Sequence, residues 1–370
     1  MKIDRRGFLK AVGCACATYP FLSYPSVGIA ASSAVWKEAS HYEKLPNGKI
    51  HCLLCPNSCV RGEGERSKCR VREAKNGKYY SLVYGAPCVI APDPVEKCPL
   101  FHFELEGNAL SIATAGCNLS CQYCQNWQFS QKPVEETKNF ELSPKKVIEK
   151  AKEYLLHGIS FFYTEPTIYF EYMKDIAVEA KKTGMPTIMV TAGYINPTPL
   201  KELFHLMDAF VVGLKGFSDG YYEKIVGGTL QPVLKALVEI KEASKHLEVV
   251  TLLVPTCNDG MQDIQAQIDW LVKNLGVDVP LHFTRFNPQF KLKGLPPTPV
   301  PILREARKRA MDAGIKYVYT GNIPADEGNH TFCPTCKKVI IERLGFQILR
   351  FDLKKGACPY CGTKIAGRWK

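Results

Sequence analysis

Long unbroken apolar runs are missing from this 370-residue sequence. A membrane-spanning helix needs roughly 20 predominantly apolar residues. The nearest candidate, residues 11–31, is interrupted by Tyr19, Pro20 and Pro25, which excludes a transmembrane helix there. A long basic block interleaved with aromatic residues is equally absent. Lys and Arg outnumber Asp and Glu by 48 to 36, giving a formal net charge of +12, but they are scattered. The excess therefore reads as a solvated basic surface, with no strong nucleic-acid signal. Nor is this a small secreted scaffold that must rely on disulfides: 46% of the residues are hydrophobic, enough for a core at this length.

Cysteine is what the sequence holds in excess, with 16 residues. Fourteen lie beyond residue 20, and eleven of these fall into three short-spaced groups of four, three and four. Grouping at x2 and x3 spacing reads as metal ligation more readily than as a disulfide framework. The central group is Cys117-x3-Cys121-x2-Cys124, directly after the apolar run Ala109–Thr114. Thiolates are soft ligands that suit iron–sulfur clusters and zinc, and a fully ligated [4Fe–4S] cluster takes four cysteines. Three on one loop hold a cluster and leave one iron open to a small molecule.

The chain begins with Asp4-Arg5-Arg6-Gly7-Phe8-Leu9-Lys10, a twin-arginine export pattern, followed by a modestly apolar stretch and small residues near Ala30–Ala34. Such signals export folded proteins, often with a cofactor already inserted in the cytoplasm. The alternative is a cytoplasmic protein whose signal is unused. Residues 1–34 are therefore set apart, with Cys14 and Cys16. Residues 35–105 form an expected N-terminal module carrying Cys52-x2-Cys55-x3-Cys59-x9-Cys69, four thiolates that suit zinc or an auxiliary iron–sulfur cluster.

From residue 106 to about 325, short apolar strands alternate with amphipathic helices. Strands are expected near 110–114, 160–164, 187–191, 209–213, 248–254, 281–284 and 316–320. Helices are expected at 144–157, 168–182, from 198, and at 230–243, 263–275 and 302–313. Six strand–helix units and a seventh strand imply an α/β fold with a parallel sheet, either a barrel, whole or partial, or an open doubly wound sheet. Both place ligands at the C-terminal strand ends. Polar residues gather at those ends: Glu165, Thr191, Tyr194, Lys215, Asn258, His282, Arg285 and Asn322. Residues 326–370 carry Cys333-x2-Cys336 and Cys358-x2-Cys361, a zinc-ribbon spacing.

The C-x3-C-x2-C loop after a first strand, with Tyr123 just before its third cysteine, resembles the radical S-adenosylmethionine (SAM) superfamily. His51–Cys59, Asp93–Lys97, Pro99–Phe103, Ser111–Gln131, Tyr163–Thr167, Tyr194–Pro197, Leu214–Phe217 and Pro296–Pro299 resemble the radical enzyme of the AmmeMemoRadiSam system, a relative of glycyl-radical activating enzymes such as pyruvate formate-lyase activase. The resemblance implies a partial (βα)6-type TIM barrel. It implies that Cys117, Cys121 and Cys124 ligate a [4Fe–4S] cluster whose fourth iron chelates SAM. It further implies Tyr123 near the adenine, Glu165 on the methionine amino group and His282 near the ribose. The activity implied is reductive cleavage of SAM to a 5′-deoxyadenosyl radical that abstracts hydrogen from an unidentified substrate, which includes protein substrates. Partners implied are a flavodoxin- or ferredoxin-type electron donor and Memo-like and AMMECR-like proteins. The contrasting class is an iron–sulfur electron carrier on the same scaffold. Three positions depart from the family pattern: Ala192 replaces an asparagine, Gly213 an aspartate, and Pro255-Thr-Cys257-Asn-Asp259 a Pro-Gly-x-Asn-Asp turn.

Overall fold

The structure is a computed structural model and describes residues 36–104 and 107–369. The twin-arginine segment lies outside the described residues. The chain enters through six short strands in two small antiparallel sheets: β1 (Lys37–Glu38), β2 (Tyr42–Lys44), β3 (Ile50–Cys52), β4 (Val60–Arg61), β5 (Arg72–Lys75) and β6 (Lys78–Ser81). β3 and β4 form a hairpin whose connection carries Cys55 and ends at Cys59, while Cys69 precedes β5.

The main sheet has eight strands: β7 (Val89–Asp93), β8 (Ala109–Ala113), β9 (Gly158–Phe161), β10 (Thr187–Thr191), β11 (Ala209–Gly213), β12 (His246–Leu253), β13 (Leu281–Arg285) and β14 (Val318–Gly321). They pair strictly in chain order. β7 is antiparallel to β8, and β8 through β14 are parallel. A doubly wound sheet reverses its strand order part-way; this one never does. Right-handed crossovers that always step the same way place their helices on one face, so the winding is that of a barrel wall. β7 and β14 each have one neighbour, and the sheet is not closed.

Side-chain alternation separates the two faces. Leu110, Ile112, Phe161, Phe210, Val249, Leu281 and Phe283 pack outward in one continuous core with the crossover helices. Ile50, Val71 and Tyr79 of the N-terminal module join that same core. Ala109, Ile188, Ala209 and Val211 point inward and meet Val95, Leu100 and Phe103. The segment before β8 therefore plugs the inner face.

The helix after Ser143 shows how local rules and packing compete. Ser143 caps it, accepting from the Lys146 amide at 3.4 Å, and Pro144 opens it. The expected end at His157 is not reached, because the helix runs Pro144–Glu153. Leu155 turns left-handed and Leu156 N–H returns to the Ala151 carbonyl at 2.8 Å. The chain then crosses directly into β9, so Gly158 starts a strand rather than stopping a helix.

The C-terminal module has β15 (Thr331–Phe332), β16 (Val339–Leu344) and β17 (Gln347–Phe351). Its two knuckles repeat one geometry. Cys333 N–H bonds the Lys338 carbonyl and Cys358 N–H the Thr363 carbonyl, both at 2.9 Å.

Candidate active site at the cysteine loop

Cys117, Cys121 and Cys124 leave the C-terminal end of β8 on a loop held by backbone bonds to a distant segment. Ser120 N–H donates to the Val226 carbonyl at 2.9 Å and Gln122 N–H to the Ile225 carbonyl at 3.0 Å. Gly116 opens the loop with φ +89°, and a Cβ there would lie 2.5 Å from the Cys69 carbonyl oxygen. Only glycine fits so tight an approach in that conformation. All three are free cysteines, partly buried among buried neighbours.

Without a cation Cys117 and Cys121 resist ionisation. Burial, then the Glu165 carboxylate, hold Cys117 well above the ordinary thiol range. Burial pushes Cys121 up to about 11, against the opposing pull of the Lys215 ammonium. Thiolates here need a bound metal to offset desolvation.

Glu165 is only 3% exposed. Its Oε1 accepts from Thr167 N–H at 3.1 Å, Thr167 Oγ1 at 2.7 Å and Thr191 Oγ1 at 2.7 Å. Its Oε2 accepts only from Ala192 N–H, at 2.8 Å. A carboxylate offers about four acceptor sites, so Oε2 keeps capacity for a further donor. Ala192 thus serves through its backbone where the family pattern has a polar side chain.

Tyr123 lies parallel to Tyr221, their ring centroids 6.4 Å apart. Both hydroxyls are buried and face each other, with Cys121 beside Tyr123, but neither makes a well-formed hydrogen bond, so a polar ligand atom could complete them. Gly213 explains its own departure from the pattern: a Cβ would stand 2.6 Å from Lys215 Nζ. Removing that side chain lets Lys215 fold back over the strand end toward Cys121. Asn258 fixes this corner, donating to the Lys215 carbonyl at 2.7 Å and accepting from Val254 N–H at 2.6 Å.

The structure thus brings Tyr123 and Glu165 to the cysteine loop. It does not bring His282 there. His282 is the second residue of β13, in the N-terminal half of the sheet, and its Nε2 lies 2.7 Å from Glu248 Oε2. It stacks on Tyr319 and meets Phe101 edge-on. Glu248 also accepts from the backbone N–H of Phe101 and His102. Two histidine contacts hold its carboxyl far below the usual range in spite of burial. His282 is therefore a brace between sheet and plug, and counting strand ends alone hid that it stands one pleat too deep. Sequence reasoning left Lys215 without a role and missed Tyr221, which comes from a helical turn about 100 residues after Tyr123. Only a long-range contact reveals that pairing.

The four thiols of the C-terminal module converge. Cys333, Cys336, Cys358 and Cys361 sulfurs all lie within 4.8 Å of one another, with 3.5 Å between Cys333 and Cys361 and 3.7 Å between Cys336 and Cys358. Four sulfurs about 2.3 Å from one tetrahedral ion stand about 3.8 Å apart, so this group is shaped to bind a metal ion.

The donor set at the loop fits a cluster with an open position and a zwitterionic ligand. It has three soft thiols, a buried carboxylate with spare capacity, an ammonium and two buried phenols. Residues 111–271 match the radical SAM superfamily. The chain is 44% identical over 331 residues to the uncharacterized protein MJ0808 of Methanocaldococcus jannaschii, covering 89% of this chain and 98% of that one. It is 23% identical over 169 residues to the pyruvate formate-lyase-activating enzyme of Clostridium pasteurianum, covering 43% and 67% respectively. A crystal structure of Streptococcus suis SuiB bound to S-adenosylmethionine superposes with a TM-score of 0.47, at 14% identity, over 62% of this chain and 53% of that one. This chain belongs to the radical SAM superfamily, in one family with MJ0808 and related to pyruvate formate-lyase-activating enzymes, and its cofactors are accordingly a [4Fe–4S] cluster and SAM.

Proposed function

We propose that this radical SAM enzyme acts on a protein substrate, as an activating-type enzyme of the AmmeMemoRadiSam system on a partial (βα)6 barrel. The observation that carries the enzymatic reading, over that of an electron carrier, is the incomplete thiolate set. Three cysteines share the loop at C-x3-C-x2-C spacing, and the charged groups that act on Cys117 and Cys121 are Glu165 and Lys215, with Tyr123 and Tyr221 beside them. A carrier is best served by a closed, fully ligated cluster.

Bound together, the cluster and SAM supply one-electron cleavage chemistry that yields a hydrogen-abstracting carbon radical. The protein's part is placement. Cys117, Cys121 and Cys124 would hold the cluster. Glu165 Oε2 would accept from the amino group of SAM, and the Lys215 ammonium would pair with its carboxylate, both charge-assisted contacts. Tyr123 and Tyr221 would offer hydroxyls and ring faces to the nucleoside. The plug beneath excludes water from the inner face of the sheet.

The finer assignments belong to the same proposal. The C-terminal cysteines form a zinc ribbon, the electron donor is a flavodoxin or ferredoxin, and Memo-like or AMMECR-like proteins are partners. The twin-arginine segment directs export of the folded protein after cluster assembly in the cytoplasm. Anaerobic incubation with SAM, dithionite and a purified Memo-like or AMMECR-like protein tests the partner reading. A true substrate raises 5′-deoxyadenosine formation above the uncoupled rate and takes on a mass change. No rise with either protein removes them as substrates.

A further inference from the structure

The four N-terminal cysteines are absorbed by no role described above. Cys52 closes β3, and its N–H bonds the Cys59 carbonyl across the hairpin at 2.9 Å. Cys55 lies in the turn between them, and Cys69 sits just before β5. All four are buried free thiols. Cys52, Cys59 and Cys69 pack in one buried cluster, and Cys55 lies within electrostatic range of Cys52 and Cys69. Four buried thiols in one place, none in a disulfide, call for a metal.

Their spacing decides which kind. Among the described residues, only the C-terminal cysteines converge within 4.8 Å of one another. The N-terminal set stays more open than four ligands on a single tetrahedral ion require. Thiolates on a polynuclear cluster each bind a different iron, so they stand farther apart than ligands of one ion. One chain thus holds two four-cysteine groups of different gauge.

A buried cation points at the same place. Arg72, 1% exposed, donates through Nε to the Ile168 carbonyl at 3.2 Å and through Nη2 to Glu171 Oε2 at 2.6 Å. Its Nη1 has no partner. An unpaired guanidinium nitrogen in a dry site needs a further acceptor beside Glu171. A thiolate-bound cluster supplies one.

We propose that Cys52, Cys55, Cys59 and Cys69 bind a second iron–sulfur cluster rather than zinc, with Arg72 as its buried counter-charge. This second site abuts the active-site loop. The Cys69 carbonyl is the atom that Gly116 makes room for, and Asn57 Nδ2 donates to the Asn118 carbonyl at 2.7 Å, one residue after Cys117.

The test uses the full chain, isolated anaerobically and not reconstituted. Wild-type protein should contain about eight irons and about one zinc per chain, as two four-iron clusters require. A variant with Cys117, Cys121 and Cys124 all changed to alanine should keep about four irons and take up about one electron in a dithionite titration, with a matching electron paramagnetic resonance signal. About four irons and two zincs in the wild type overturn the proposal, and that count stands even where the variant fails to fold. Because the variant lacks the SAM-binding loop, its iron content is independent of whether SAM is cleaved. The paired change Arg72→Met and Glu171→Leu, which leaves no unpaired charge, should lower the reduction potential of the second cluster. An unchanged potential removes Arg72 from the proposal.

Discussion

Replacing Glu165 with glutamine separates two roles that a buried carboxylate can have. The two threonine hydroxyls that bond Oε1 can rotate and accept from an amide instead of donating to it. The backbone N–H groups of Thr167 and Ala192 cannot, and they face opposite oxygens. Whichever way the amide is turned, one of these N–H groups meets an NH2 group. The variant therefore loses one charge-assisted bond and buries an unpaired donor, costing about 2–3 kcal/mol. Urea unfolding of the apo-protein measures that loss. If Glu165 also holds the amino group of SAM, Glu165→Gln weakens SAM binding to the cluster-loaded enzyme by about 10- to 100-fold, or about 1.4–2.8 kcal/mol. Equilibrium dialysis under anaerobic conditions reads this directly. Reduced stability with unchanged SAM affinity would make Glu165 a structural brace only. Unchanged stability would refute the hydrogen-bond geometry itself.

Three other perturbations test separate parts of the structure. Gly213→Ala places a Cβ 2.6 Å from the present position of Lys215 Nζ. The side chain must swing out, so SAM affinity falls by about tenfold while stability changes by less than about 0.5 kcal/mol, as usual where a flexible chain end can yield; equal affinity would argue that Lys215 does not face SAM. Cys333→Ser removes a ligand from the converged set, so the purified protein loses about one bound metal ion and unfolds at lower temperature, with the metal content checked by mass spectrometry. His102 is held down to about 4 by burial, with its ring between Tyr319 OH and the Ala366 carbonyl. A histidine with a lowered native value is protonated first in the unfolded chain, so stability falls as pH drops from about 6.5 toward 4. Between pH 7 and pH 5 that contribution amounts to about 2 kcal/mol, and His102→Gln should reduce the pH-dependent loss by that amount in chemical unfolding of apo-protein.

The cluster loop was legible because its chemistry is local. Three thiols at fixed spacing after an apolar strand need no distant partner to be recognised, and β8 ends where that reading requires. Glu165 was legible as a strand-end acid, and the C-terminal cysteines as paired knuckles. Strand order was not, since periodicity gives elements and not neighbours. Only the strictly sequential pairing of β7 to β14 distinguishes a barrel wall from a doubly wound sheet. His282 was misplaced for a related reason. Its neighbours in the chain say that it lies on a strand, whereas its depth is set by the register with Val250 and Tyr319. Tyr221 and the folded-back Lys215 were hidden because each depends on a contact that sequence spacing does not encode.

Formation of 5′-deoxyadenosine by anaerobically isolated protein given SAM and dithionite tests the central claim most directly. Wild-type enzyme is expected to release 5′-deoxyadenosine and methionine in equal amounts. Cys121→Ala is expected to lose both the loop cluster and the cleavage. A wild-type protein with an intact loop cluster that leaves SAM uncleaved would contradict the account.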